Sequence, residues 1–231
     1  MNNNIINYIF ETNRNRKLKE YFLFKKIPII IKDHFLNSEI DLPKLILKLE
    51  SILPEYLINY IDIEAIYVGE FKELLEKEVE ALFSDGVIYL SNNKDSEESI
   101  IEDISHEIGH ALEAVFQLDI YGDKKVEREF LGKRIRLYDI LSSLGRNDLS
   151  RNDFLDVEYS EKIDIYFYKK IGYPLLTSLT TGLFVSPYGA TSLREYFSNG
   201  FEEYITGDRN YVKRVSPRLY EKIIKLMEII K

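Results

Sequence analysis

Apolar and polar positions recur with one period before residue 92 of this chain and with another after it. In the first part, short apolar runs rich in β-branched and aromatic residues predict strands over 24–31 (FKKIPIII), 65–68 (AIYV) and 87–90 (VIYL). Pro28 has no N–H to give a ladder, which pushes the first of these toward a sheet edge. Ser84-Asp85-Gly86 is a turn signal ahead of the third, and Asn92, Asn93 and Asp95 end it. Pro43 opens an apolar-periodic helix over 42–53, and Pro54 closes it. Residues 71–82 (FKELLEKEVEAL) also have helical spacing, with enough charge for a long surface segment.

Beyond residue 92 the period lengthens. Ile101, Ile104, Ile108, Leu112 and Val115 recur at three- and four-residue steps and predict a helix over 99–118, with Asp95 and Glu98 at capping-box spacing before it. Further helices are expected over 126–144, 163–171 and 192–206, and from Ser216-Pro217 to the last residue. Residues 1–20 read as a frayed or helical arm. Strands early and helices late make an α+β plan.

Composition narrows the function classes. The 231 residues are 45 % hydrophobic and 13 % aromatic, enough to build a real core. The absence of Cys excludes disulfides, thiolate metal sites and Cys nucleophiles. A net charge of −8 and the lack of an aromatic–basic stripe argue against a nucleic-acid partner. Apolar runs are short and broken by charge, so no membrane span is expected, and the N-terminus carries no signal-peptide pattern, which points to the cytoplasm unless a leader has been removed. Arg128, Lys133, Arg134 and Arg136 read as a solvated helix face balanced by Glu127, Glu129 and Asp139.

The chemistry concentrates in His106-Glu107-Ile108-Gly109-His110. Two His four residues apart lie about 40° apart on a helical wheel, one turn above each other, and can reach one metal ion. Glu107 projects beside them, able to address water at the metal without being a ligand. The competing reading is a chance pair of His on a solvated face; the chain has only three His, and two of them fall on the polar side of a strongly amphipathic helix. Gly109 makes sense where another backbone or a ligand comes close. A metzincin third His is excluded, because Glu113 and Phe116 occupy those positions, and His34 lies far upstream. The third ligand is therefore expected to be a carboxylate. Glu113 sits about 10 Å along the same helix from His106, too far to join both His. Glu195, in the first turn of the 192–206 helix and off the stripe of Leu193, Phe197, Phe201 and Tyr204, is the leading candidate. Its competing role is a capping box with Ser192, and Glu202 and Glu203 stand in reserve.

His106-Glu-Ile-Gly-His110 followed by Tyr188-Gly-(x5)-Glu195-Tyr-Phe resembles the catalytic domain of anthrax lethal factor and the related Pro-Pro endopeptidases. In that family a tyrosine precedes the zinc-binding glutamate by seven residues, and 195 − 188 = 7. The stretches 85–91, 162–169 and 216–220 are similar too, and the resemblance spans roughly residues 60–231. It departs in a longer stretch between His110 and Tyr188 and in Ser198-Asn199, where the family often has Ala-Glu. The resemblance implies a zincin-like fold, with a small mixed sheet packed on a helical active-site domain. Residues 1–60 would pack on its core, and 61–231 would form the peptidase domain with a helical insertion at about 121–185. It implies one Zn2+ per chain held by His106, His110 and Glu195, Glu107 as general base, Tyr188 as oxyanion donor, and a peptide or protein substrate. Val87, Ile88, Tyr89 and Leu90 would bind that substrate if their strand is an edge; an interior strand is the competing reading. A non-proteolytic metal- or partner-binding protein of the same fold is the functional alternative.

Overall fold

The computed structural model describes residues 21–229, so the arm expected over 1–20 lies outside the described residues. One five-stranded mixed sheet has the order β1-β2-β3-β5-β4. Strands β1 (Tyr21–Leu23) and β2 (Ile27–Ile31) form an antiparallel hairpin, and β2, β3 (Ala65–Gly69) and β5 (Val87–Ser91) run parallel. Strand β4 (Ala81–Ser84) lies antiparallel to β5 and forms the edge nearest the helices. Asp85 (φ 50°) and Gly86 (φ 76°) make the two-residue turn between them, both left-handed as a tight hairpin of this twist requires.

Three expectations change here. The strand over 87–90 is interior, because β3 and β4 pair with its two sides, so Val87, Ile88, Tyr89 and Leu90 present no free edge. The segment 71–82 is not one helix: helix α2 (Lys72–Lys77) ends on Glu78 in the left-handed conformation, and the chain then turns into β4. Pairing across the Asp85-Gly86 turn decides the state of residues 81–84 against their helical spacing. Strand β2 lies between β1 and β3 and not at the sheet edge, with Ile29 the residue paired on both sides; Pro28 falls in the stretch paired with β1 alone, where its missing N–H costs β3 nothing.

Helix α1 (Leu42–Ile52) is capped by Asp41 and has proline in its first turn, and a 3-10 turn (Glu55–Asn59) follows Pro54. Helix α3 (Glu97–Tyr121) is longer than its periodicity implied, and its cap is Ser96, whose side chain accepts from the Ser99 N–H, rather than Asp95. Helix α4 (Lys125–Ser143) follows, then α5 (Glu161–Ile165), which continues as a π-helical turn (Tyr166–Ile171), and α6 (Tyr173–Thr180). Helices α7 (Leu193–Thr206), α8 (Arg209–Val215) and α9 (Pro217–Ile229) complete the order; α8 had no expectation in the sequence. One hydrophobic cluster runs from Leu23 and Leu45 through Ile104 and Ile108 to Phe197 and Leu226, so residues 21–60 share a core with the rest. Among the described residues, no helix is long and apolar enough to cross a membrane.

Candidate metal centre

Helix α3 passes through the middle of the molecule. Ile100, Ile101, Ile104, Ile108 and Leu112 are buried as their spacing requires, whereas Val115 is exposed, near the point where Phe116 (φ −107°, ψ 25°) interrupts the helix. The polar side of the helix is covered as well: Ser105, Glu107, Gly109, His110 and Glu113 are all buried. What covers it is α7. A Cβ on Gly109 would meet the Ser198 Cα at 3.0 Å, so glycine at this position lets the two helices approach backbone to backbone.

That approach brings the carboxylate to the imidazoles. Ser192 caps α7 by accepting from the Glu195 N–H at 3.2 Å, which fixes the first turn and leaves the Glu195 side chain free to face α3. Both roles weighed for the Ser192–Glu195 pair are realised in part: hydroxyl to backbone makes the cap, and the carboxylate turns to the His. Glu195 Oε2 lies 3.0 Å from His106 Nε2 and Oε1 lies 3.3 Å from His110 Nε2. The two Nε2 atoms are 3.1 Å apart. His106, His110 and Glu195 thus offer ligand atoms within 4.8 Å of one another, a group able to hold a metal ion.

The outer face of each ring is occupied too. Glu202 Oε2 is 3.0 Å from His106 Nδ1, and Ser198 Oγ is 2.9 Å from His110 Nδ1. Because a carboxylate can only accept, His106 Nδ1 carries the proton toward Glu202, and neutral His106 then turns a bare Nε2 lone pair toward Glu195. Two imidazole Nε2 atoms and a carboxylate gathered at one spot, with the outer nitrogen of each ring already partnered, are a donor set that fits a metal ion. Without one, a proton takes that place. Burial alone would lower the His106 pKa, but hydrogen bonds to Glu195 and Glu202 override it and raise it to about 10. Burial would raise Glu195, and its bonds to His106 and His110 bring it down to about 2.

Glu107 stands beside this group and outside it. Its carboxylate accepts the Phe83 N–H of β4 at 2.6 Å. Burial raises its pKa, against the lowering pull of His110 and His106. Tyr188 lies in a 3-10 turn (Tyr188–Ala190) with its ring centroid 6.5 Å from that of His106. Burial and the neighbouring Glu195 carboxylate push its phenol pKa well up, so the hydroxyl keeps its proton at all ordinary pH.

Other candidates fall elsewhere. Glu113 is buried and accepts from Arg194 Nε at 2.8 Å, tying α3 to the first turn of α7. Glu203 turns away to the Asp208 N–H, and the His34 carbonyl accepts from Asn92 Nδ2. Residue patterns alone missed Ser198, and they missed Glu202 as a partner of His106 rather than a ligand. A signal existed: Ser198 and Glu202 stand three and seven residues after Glu195, on one face of α7. Arg134, read as solvated, is fully buried and donates to the carbonyls of Asp153, Asp156 and Thr191, fastening the chain just before α7.

No family model matches the chain, and neither the curated proteins nor the solved structures contain a match to it. Fold and site together define an α+β protein with a His-His-Glu group that can hold a metal ion between two central helices.

Proposed function

We propose that the chain is a zinc-dependent endopeptidase with a zincin-like fold, similar to the lethal-factor-like enzymes. The observation that carries this reading is the convergence of His106, His110 and Glu195 with Glu107 one residue along the helix and outside the ligand set. Two imidazole nitrogens and one carboxylate suit zinc, which when bound supplies Lewis acidity and a water of lowered pKa. Glu107 then has the place and the raised pKa of a general base, taking a proton from the attacking water and passing it to the leaving amine. The Tyr188 hydroxyl, always protonated, is a hydrogen-bond donor for the oxyanion. Glu202 and Ser198 hold the two rings in orientation.

The substrate strand in this reading is β4 rather than β5. Ser91 donates to Glu80 across the hairpin, so alternation turns the main-chain groups of Ala81 and Phe83 outward at the sheet edge; Glu107 takes the Phe83 N–H, which leaves the N–H and C=O of Ala81 and the C=O of Phe83. An extended peptide can add to that edge by main-chain pairing, beside Glu107. Profiling a peptide library with and without a chelator, beside elemental analysis, tests the reading. Zinc near one per chain and chelator-sensitive cleavage are expected, and Glu107→Gln should keep the zinc while turnover falls by about 10²–10⁴-fold. Zinc retained with no cleavage of any peptide would favour a non-proteolytic metal-binding protein, and a chain unable to take up zinc would defeat both.

A further inference from the structure

Arg128, Gly132 and Arg136 follow one another at four-residue steps along α4 and so share one face. Together with Glu129 and Lys133 from the next row, and with the turn at Gly182 opposite, they line an open cavity of about 340 Å³. That volume lies at the low end of the range of roughly 300–1,000 Å³ for small-molecule sites. Gly132 sits between the two arginines, and a Cβ there would meet nothing within 4 Å, so the hollow between the guanidinium groups is open.

Two of the three carboxylates expected to balance the charge on this helix, Glu127 and Glu129, are engaged elsewhere. Glu127 pairs with Lys124 at 2.6 Å. Glu129 accepts from the Tyr196 hydroxyl at 2.8 Å and from the N–H groups of Arg218 and Leu219 at 2.9 and 3.2 Å, closing the first turn of α9. Among the described residues Asp139 joins no ion pair, and Arg136 makes neither an ion pair nor a side-chain hydrogen bond. Arg128 uses Nε and Nη2 on the carbonyls of Lys124 and Asp123, and its Nη1 has no partner among the described residues. Lys133 donates to the Tyr196 hydroxyl at 2.6 Å and to Ser216 Oγ at 2.7 Å, which leaves one N–H of its ammonium group. Three cations and one committed carboxylate leave an excess of 3 − 1 = +2 around the cavity, in a chain whose net charge is −8.

We propose that this cavity is an anion site for the phosphate group of a phosphomonoester. Arg136 brings a free planar donor fork that matches phosphate oxygens, Arg128 brings its one unengaged group, Nη1, and Lys133 adds a fixed point charge from beside them. The excess charge matches a phosphate dianion better than a single carboxylate. None of the residues that line the cavity belongs to the His-His-Glu group, so the site stands independently of the peptidase reading.

The test is binding of glycerol 3-phosphate to the full chain by calorimetry at low ionic strength, with a parallel co-sedimentation arm on phosphatidylcholine vesicles carrying phosphatidic acid. Saturable binding is expected, weakening as salt is added and weakening about ten-fold in Arg136→Gln. Arg136 is exposed and unbonded, so this variant keeps its fold; Lys77→Gln, on α2, is the control that should bind unchanged. Loss in Arg136→Gln of binding to free glycerol 3-phosphate upholds the site and assigns it a soluble ligand. Loss only of vesicle binding upholds it and assigns a lipid headgroup. Absence of binding in both arms, or equal binding by wild type, Arg128→Gln and Arg136→Gln, overturns it.

Discussion

Glu195 and Glu202 are both carboxylates within 3.0 Å of a His106 nitrogen, and their places decide what each does. Glu195 faces both Nε2 atoms, where a metal ion would lie, while Glu202 touches only Nδ1, on the far side of one ring. Glu202 therefore acts through His106, fixing its tautomer and angle. Replacing Glu202 with Ala should weaken zinc binding by about 10–100-fold without removing a ligand, read by competition against a chromophoric chelator. Rescue by Glu202→Gln, which still accepts a hydrogen bond through its side-chain oxygen, separates orientation from simple charge; an unchanged affinity in the Ala variant would return Glu202 to the surface. The Ser198 hydroxyl has the same relation to His110 and belongs in the same titration.

Helices α3 and α7 show what a linear pattern reveals and where it stops. The His106–His110 step, the buried isoleucines of α3 and the buried Leu193, Phe197 and Phe201 of α7 were legible, because each is a periodicity within one helix. The strand over 81–84 was not, because its state depends on a partner across a turn, and the cap at Ser96 was displaced by one residue from Asp95. The edge at β4 and the burial of Arg134 are likewise consequences of assembly that no single segment encodes. Gly109 lies between these cases: its presence was conspicuous, but only the packing names Ser198 as what it meets. Gly109→Ala must push α7 away or bend it, because the atom in the way is a backbone Cα at 3.0 Å. The expected result is a loss of about 1–3 kcal/mol in stability by denaturant unfolding, despite the better helix propensity of Ala, with weaker zinc retention alongside. A neutral or stabilising effect would mean that the two helices have slack between them.

At the scale of the whole molecule, two ionisable arrangements bear on stability. Lys133 ties α4 to Tyr196 of α7 and to Ser216 before α9, and burial lowers its pKa to about 8 from an ordinary 10.5, against the raising pull of Glu129. Below pH 8 both folded and unfolded chains hold the proton and the full cost of the buried charge is present. Between about 8 and 10.5 the unfolded chain holds a proton that the native state lacks, so this group makes stability rise with pH. The stability difference between wild type and Lys133→Met should therefore shift in favour of wild type across that window, and a flat difference would show that Lys133 titrates normally. A metal ion held by the His-His-Glu group would act on the same balance from the other side. His106 and His110 on α3 and Glu195 on α7 converge only in the folded chain, since 89 residues separate His106 from Glu195. An ion bound there stabilises the native state alone, by roughly 2.7 kcal/mol at a free concentration one hundred times its Kd. For a domain of this size that is a rise in Tm of about 5–10 °C, reversed by a chelator and restored by zinc. Glu195→Ala should abolish the zinc-dependent part of the shift while Glu107→Gln keeps it, because only the first removes a member of the converging group. An equal shift in both variants would place the ion somewhere other than between these helices.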